Sequence, residues 1–432
     1  MASDKPNILM VICHDLGTHC GCYGEGVSTP NLDALAADGV RFSEYHCTAA
    51  QCSPSRGSIM TGKYPHNNGL VGLAHIGWDY NEGEKTLLMF LRDAGYSTHL
   101  FGIQHETGGD AHRLGYDEVN RQTSKALELA DIVTEWLRAR ASSGSQQPFF
   151  ASVGTVEPHR PYDAPGYEPD DPDEVELLYW LPDRPGIRLD IARLNGMVRA
   201  LDEAVGRIRQ ALEDTGLEED TLLIFTTDHG LAMPRAKGTC YDPGTRTTLI
   251  MRLPGRWDDG AVHGELLTNC DFLPTIMELI GGPQPEGIDG RSFLPLLDGG
   301  AYEPRENIFV EMTWHDKYNP MRGIRTNKYK YIRNFGDRPL VYLPLDVWRG
   351  PAGEEMRDEY YATRRPAEEL YDLEADPLEQ NNVAGEAEYQ AVFEELRGRV
   401  QTWMEETHDR LLEGDWPPSP AQAEREKAGH PN

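Results

Sequence analysis

The chain has 432 residues, 71 of them acidic and 41 basic, for a formal net charge of −30 at pH 7. A surface this negative repels nucleic acid and anionic lipid, and no apolar run approaches the ~20 residues that span a bilayer. With 39% hydrophobic and 26% charged residues, the composition is that of a globular protein long enough for two or three domains. Ile8 to Ile12 follow the N-terminus too closely to form a signal-peptide core with a cleavage site, which predicts a cytoplasmic or already trimmed protein. Seven cysteines, odd in number and in no repeated C-x-x-C array, indicate neither a disulfide scaffold nor a zinc ribbon.

Up to about residue 290, short apolar runs alternate with helical patterns, as in a mostly parallel α/β sheet sandwiched by helices. Strands are predicted over 8–13, 98–101, 149–153, 222–226 and 248–252, apolar nearly throughout because both faces are buried. Thr29-Pro30 opens a helix and Gly39 closes it. The stripe Ile191, Leu194, Val198, Leu201, Val205, Ile208 and Leu212 predicts a long core helix over 188–214. From about residue 300 the pattern changes to short alternating segments over 308–313, 322–326 and 329–333, then a helical stretch around 386–405. This predicts a catalytic α/β domain over 1–300 and a smaller domain, antiparallel sheet with a helix, over 301–432. Stretches 161–186 and 348–368 are predicted as long loops around a site, and the polar tail after 417 as loose.

Two predicted strands end in ligand-type side chains, His14-Asp15 and Asp228-His229. Sites in open α/β sheets form at the carboxyl ends of strands, and four converging N and O donors suit a divalent ion. A single such pair is equally a loop former; two on equally apolar strands favour the site. Between them lies Cys52-Ser53-Pro54-Ser55-Arg56, continuing to Thr61-Gly62. Pro54 suits a first helical turn, so Cys52 sits at or just before a helix N-terminus, where an anion is favoured, with Arg56 one turn on. From physics alone, a buried cysteine beside a chance arginine stays open as an alternative to a reactive one.

At these residues the chain resembles the formylglycine-dependent sulfatases of the alkaline-phosphatase superfamily. Cys52-x-Pro54-x-Arg56 with Thr61-Gly62 matches the signature read by the formylglycine-generating enzyme, which oxidises the cysteine to an aldehyde. Further points of likeness are Thr29 to Asp33, Gly62 to His66, Glu157-Pro158-His159-Arg160, Phe225 to Gly230 and Glu369 to Leu373 with Asp376-Pro377. The resemblance implies a hydrated aldehyde at position 52 as nucleophile, supported by a metal on His14, Asp15, Asp228 and His229 and by Arg56. It further implies that His105 assists the collapse that expels sulfate, that His159 protonates the leaving group, and that Lys237 clamps a sulfate oxygen, Arg235 being its neighbour in an uncertain loop register.

The chain departs from the family pattern in three places. Most relatives have Asp-Asp where His14-Asp15 stands, many have Asp-Asn at Asp228-His229, and the familiar Gly-Lys-x-His is Gly102-Ile103-Gln104-His105. One negative and one positive charge are lost together, which preserves the charge of the site and argues for retuning. Two imidazoles shift the metal preference from Ca²⁺ toward Mn²⁺, Zn²⁺ or Fe²⁺. The chain is most similar to the sulfamidase (heparan N-sulfatase) branch, through His66 to Leu70 with Gly72-Leu73, Pro320-Met321-Arg322, and Trp403 with Thr407-His408-Asp409. Arg160, Glu311, His315 and Arg322 are candidate substrate contacts, the last three equally readable as surface or inter-domain charges; Trp78, Tyr162 and Trp314 more often pack than stack on a sugar. The expected function is hydrolysis of a sulfate ester or N-sulfonate on a small sugar-derived substrate, since an acidic surface disfavours long polyanions. The rivals are a phosphonate monoester or phosphodiester hydrolase on the same scaffold, acting on a phosphorylated substrate, and a non-catalytic anion-binding homologue. A homo-oligomer is compatible with the sequence.

Overall fold

The computed structural model describes residues 5–427. Its centre is an eight-stranded sheet in the order β5-β4-β6-β1-β7-β8-β2-β9. In chain order these strands are β1 Asn7–Cys13, β2 Val40–Phe42, β4 Ser97–Gly102, β5 Glu118–Asn120, β6 Phe149–Gly154, β7 Thr221–Thr227, β8 Leu249–Arg252 and β9 Val262–His263, while β3 Tyr45–His46 pairs separately with β10 Leu267–Thr268. Each residue of β1 alternates between two cores: Leu9, Val11 and Cys13 face one, Ile8, Met10 and Ile12 the other. That two-sided burial is why the strand reads as one unbroken apolar run. The five predicted strands are all present, but β8 runs antiparallel to β7. The edge strands β5 and β9 and the penultimate β2, of two or three residues each, are too short to show a period.

Register sets the position of the site. β1 pairs in parallel with β7, Asn7 beside Thr221 and Cys13 beside Thr227. Two strands that start level also end level, so His14-Asp15 and Asp228-His229 emerge side by side at one carboxyl edge. The long helix Pro185–Thr215 buries the predicted stripe against the Ala126–Ser143 helix and the sheet.

A second sheet, antiparallel in the order β11-β12-β13-β14, comprises β11 Asn307–Trp314, β12 Tyr318–Thr326, β13 Tyr329–Asn334 and β14 Glu368–Asp372. The Gln390–Glu406 helix lies on it through Phe393, Leu396, Val400 and Trp403, in a cluster that also takes in Tyr64 and Cys270 from the first 300 residues. Among the described residues no helix is long and apolar enough to cross a membrane, and all seven cysteines are free thiols.

Two expectations about loops are corrected. Residues 161–184 are irregular as predicted, but much of 348–368 is the helix Pro351–Tyr361, started by proline and buried through Ala352, Met356 and Tyr360. Of the tail after 417, predicted as loose, residues 428–432 lie outside the described residues and the described part forms the helix Pro420–Lys427. It is tied down by Ser419, whose hydroxyl donates to the Ile76 carbonyl at 2.5 Å, and by the fully buried Gln422, whose amide donates to the Asp316 carbonyl at 2.8 Å.

Candidate active site

Beyond β1 the chain turns at Asp15, a non-glycine residue in the left-handed region at φ +50°. The turn is held from β7: the Asp15 amide donates to Asp228 Oδ1 at 3.0 Å and the Leu16 amide to Thr227 Oγ1 at 3.2 Å. His14, Asp15, Asp228 and His229 are all fully buried. His229 Nδ1 bonds the Gly230 carbonyl at 2.9 Å, which turns Nε2 toward Asp15 Oδ1 at 3.0 Å and Cys52 Sγ at 3.4 Å. His14 Nδ1 lies 2.9 Å from Asp228 Oδ2, yet neither buried ring nitrogen makes a well-directed hydrogen bond. His14, Asp15, Cys52 and Asp228 offer ligand atoms within 4.8 Å of one another. Buried imidazole nitrogens without a well-directed hydrogen bond, beside two carboxylates, are costly in a protein interior and fit a divalent cation.

Cys52 is the first residue of the helix Cys52–Thr61, which is buried along its whole length and ends at Gly62, φ +68°. The Ser55 hydroxyl donates to the Asp228 carbonyl. Arg56 Nε binds Asp228 Oδ2 at 2.9 Å and Nη2 the Cys13 carbonyl at 3.1 Å. Arg56 therefore braces a carboxylate of the cluster, and its charge also interacts with Cys52. Burial pushes the Cys52 thiol up, but Lys237 and His229 outweigh it and hold the thiol well below its ordinary range.

Cys52 opens onto a cavity of about 230 Å³ that it lines with His105, His159, Lys237, His315 and Asp346. His105 follows β4 at Gly102, φ +85°, where a Cβ would stand 2.3 Å from the Gly154 carbonyl oxygen. Only glycine allows that close approach of β4 to β6. The His105 ring packs on His14 with centroids 4.5 Å apart, and burial together with His14 pushes its pKa down to about 4, so it is neutral near pH 7. His159 Nδ1 bonds the Arg160 carbonyl at 2.6 Å, leaving Nε2 3.7 Å from Asp15 Oδ2. Burial works against its charge, but Asp15 prevails and lifts its pKa to about 9. Among the cavity-lining imidazoles, His105 and His159 are thus shifted in opposite directions, as in an acid–base pair separated by environment.

Of the two basic residues of this loop, Lys237 is the one that reaches the cluster. Its ammonium is buried between Asp15 Oδ2 at 2.8 Å and Asp346 Oδ2 at 2.7 Å, and these carboxylates overcome burial to keep it charged. Arg235, at φ +62°, turns away to the Glu379 carbonyl and the Tyr241 ring. Asp346 was not legible in the sequence: it sits in the four-residue helix Leu345–Trp348, with no motif around it.

The candidate substrate contacts separate. His315 lines the cavity with Nδ1 on Asp316 at 2.7 Å. Arg160 is buried on Asp190 and the Ala232 carbonyl, with its guanidinium 4.1 Å from the Tyr162 ring centroid, and lines an adjoining cavity that shares Asp346. Glu311 and Arg322 lie outside both cavities. Glu311 is buried against the His66 ring and accepts from the His66 amide at 3.1 Å. Arg322 is fully buried on Asp409 and the Met312 and Met321 carbonyls. Asp409→Ala, which leaves that guanidinium unpaired, is therefore expected to cost about 3–5 kcal/mol, seen as a lowered urea midpoint; an unchanged midpoint would return Arg322 to the candidate contacts. Trp78 and Trp314 pack on each other with ring centroids 5.9 Å apart.

Comparison with known proteins bears on this geometry. The sulfatase family model matches residues 6–282, and a model described as N-sulphoglucosamine sulphohydrolase, C-terminal, matches residues 235–362. An ulvan-active sulfatase of Formosa agariphila is 31% identical over 422 residues, covering 95% of this chain and 82% of the relative. The N-sulphoglucosamine sulphohydrolase of Homo sapiens is 28% identical over 463 residues, covering 93% and 90%. The phosphonate monoester hydrolase of Agrobacterium radiobacter shares the fold, with a TM-score of 0.74 at 22% identity over 94% of this chain and 97% of that one. With the matched region running from β1 through both strand-end pairs and Cys52 to residue 282, the chain belongs to the sulfatase family.

Proposed function

We propose that the protein hydrolyses the sulfate ester or N-sulfonate of a small sugar, and that Cys52 is converted to formylglycine for that purpose. The observation that carries the reading is the convergence of Cys52, which lines the cavity, with His14, Asp15 and Asp228 in one ligand cluster, with His229 beside Asp15 and Cys52, and with a buried lysine. His14, Asp15, Asp228 and His229 would hold a divalent cation, and the two imidazoles among them favour Mn²⁺, Zn²⁺ or Fe²⁺ over Ca²⁺. When present, the cation supplies charge stabilisation to sulfuryl oxygens and the hydrated aldehyde supplies the attacking hydroxyl.

The remaining steps belong to this chain's own side chains. Lys237, pinned by Asp15 and Asp346, presents a fixed positive charge to a sulfate oxygen, and Arg56 keeps Asp228 in place. His159, protonated and partly exposed at the cavity wall, donates its Nε2 proton to the departing oxygen or nitrogen. His105, neutral and within reach of position 52, takes up a proton as sulfate is expelled. The likeness to N-sulphoglucosamine sulphohydrolase along 93% of the chain and in the C-terminal model supports N-sulfoglucosamine as the first substrate to try.

The test is the mass of the tryptic peptide carrying Cys52, from protein made together with the formylglycine-generating enzyme, followed by turnover of N-sulfoglucosamine, 4-nitrophenyl sulfate and bis(4-nitrophenyl) phosphate. A peptide lighter by one sulfur and two hydrogens and heavier by one oxygen is expected, with kcat/KM on the better sulfate donor at least about 10²-fold above the phosphodiester. An unmodified thiol, or preference for the phosphodiester, overturns the reading. Elemental analysis of the same preparation reads the metal directly.

A further inference from the structure

We infer that Arg349 and Arg425 form a receptor for a second anionic group, a carboxylate or a further sulfate, borne by the same molecule whose sulfate is cleaved. The inference rests on the sulfatase reading and extends it to substrate choice. Both guanidinium groups line the cavity that Cys52 floors. The cavity grades from buried to open: Cys52, Lys237 and His315 are buried, Arg425 is half-buried, and His75 and Arg349 are exposed at the mouth.

The carboxylates of this cavity already have partners. Asp346 accepts from Lys237 at 2.7 Å and from the Val347 amide at 2.9 Å. Asp316 accepts from His315 at 2.7 Å, from the Leu345 amide at 2.8 Å and from the Tyr342 hydroxyl. Arg349 and Arg425 make no ion pair or side-chain hydrogen bond among the described residues. Two cations with no ion pair among the described residues, beside internally satisfied acids, give the mouth a local positive excess, in a chain whose net charge is −30. An excess that opposes the field of the whole protein acts at short range, on whatever enters the cavity.

An exposed arginine alone would mean little, but Arg425 is held in place. Its helix, Pro420–Lys427, is fastened by Ser419 to the Ile76 carbonyl and by Gln422 to the Asp316 carbonyl. Ile76 and Asp316 are themselves cavity-lining residues, so the helix is tied to the wall it serves. Arg425 stands three residues beyond Gln422, on the same helical face. Burial lowers the His75 pKa and Arg425 adds to the lowering, which puts the guanidinium within electrostatic reach of an imidazole on that wall. A planar guanidinium fork matches carboxylate and sulfate oxygens in pairs, with a geometry that lysine lacks.

Calorimetric titration of metal-loaded Cys52→Ala protein, which binds without turnover, tests this with three probes: N-sulfoglucosamine, N-sulfoglucosamine 6-sulfate, and a disaccharide of N-sulfoglucosamine and glucuronate. At least one doubly anionic probe should bind about tenfold or more tightly than the first, the worth of one charge-assisted hydrogen bond, and which one does so separates sulfate from carboxylate. Adding Arg425→Gln should shrink the ratio to about twofold or less, while Arg410→Gln, an exposed charge of the same sign outside the cavity, should preserve it. Equal affinity for all three probes, or a ratio that survives both Arg425→Gln and Arg349→Gln, overturns the inference. Failure of the matured wild-type protein to release sulfate from any probe, with the binding ratio intact, would instead overturn the sulfatase reading alone.

Discussion

Cys52→Ala is expected to lower sulfate release by about 10⁴–10⁶-fold, the scale on which loss of a nucleophile is felt in a covalent mechanism. Its stability should stay within about 1 kcal/mol of the parent. The reason lies in what the Sγ touches: Asp15 and His229, at 3.9 and 3.4 Å, both of which keep other partners when the sulfur is removed. The helix itself is retained by the burial of the other nine residues and by the Gly62 amide bonding Ser58 at 2.8 Å. Activity of the matured protein and its alanine variant on one substrate, with urea midpoints of both, checks the pair of expectations. Residual turnover above one part in about 10³ would point to a nucleophile elsewhere.

Lys237→Ala should lower kcat/KM by about 10²–10³-fold, the usual cost of removing one preorganised charge from the reacting oxygen. The ammonium has no freedom to be replaced by water: it is 1% exposed and held by two carboxylates. Removing it also leaves Asp15 and Asp346 facing each other with only His159 between them, so their mutual repulsion adds to the loss. Equal falls in kcat and kcat/KM would place the charge on the transition state, whereas a rise in KM alone would make Lys237 an ordinary binding group. Lys237→Arg should recover little, because a planar fork cannot occupy the point between two carboxylates that a compact ammonium fills.

How much was legible beforehand follows from which forces leave a mark in sequence. β1 and β7 were readable because strands buried on both faces are written as unbroken apolar runs, and their ends delivered His14-Asp15 and Asp228-His229 directly. Cys52, His105, His159 and Lys237 came through family likeness, and the structure brings all four to one cavity. Asp346 left no mark, because its bond to Lys237 joins residues 109 apart with no local pattern on its side. Arg322 and Glu311 were offered as substrate contacts because a charge in a buried ion pair has the same letter as a charge in a site. The Pro351–Tyr361 helix did carry a signal, proline at its start and Ala352, Met356 and Tyr360 at intervals of four, beneath an Arg/Glu/Tyr-rich composition suggestive of a loop. The tail is fastened by the hydrogen bonds of Ser419 and Gln422, and hydrogen bonds have no hydropathy period.

The burial of Cys52 has a consequence in time. Any macromolecule that acts on this side chain must reach it, and in the folded protein the residue is 2% exposed at the start of a helix with no solvent-facing side. The walls that close over it are synthesised late: Asp346, Arg349 and finally Arg425 follow Cys52 by roughly 290 to 370 residues. At ~5–20 residues per second, a ribosome needs on the order of 15–75 s to cross that distance. Order of synthesis thus leaves the cysteine uncovered by these walls for that interval in every round of translation.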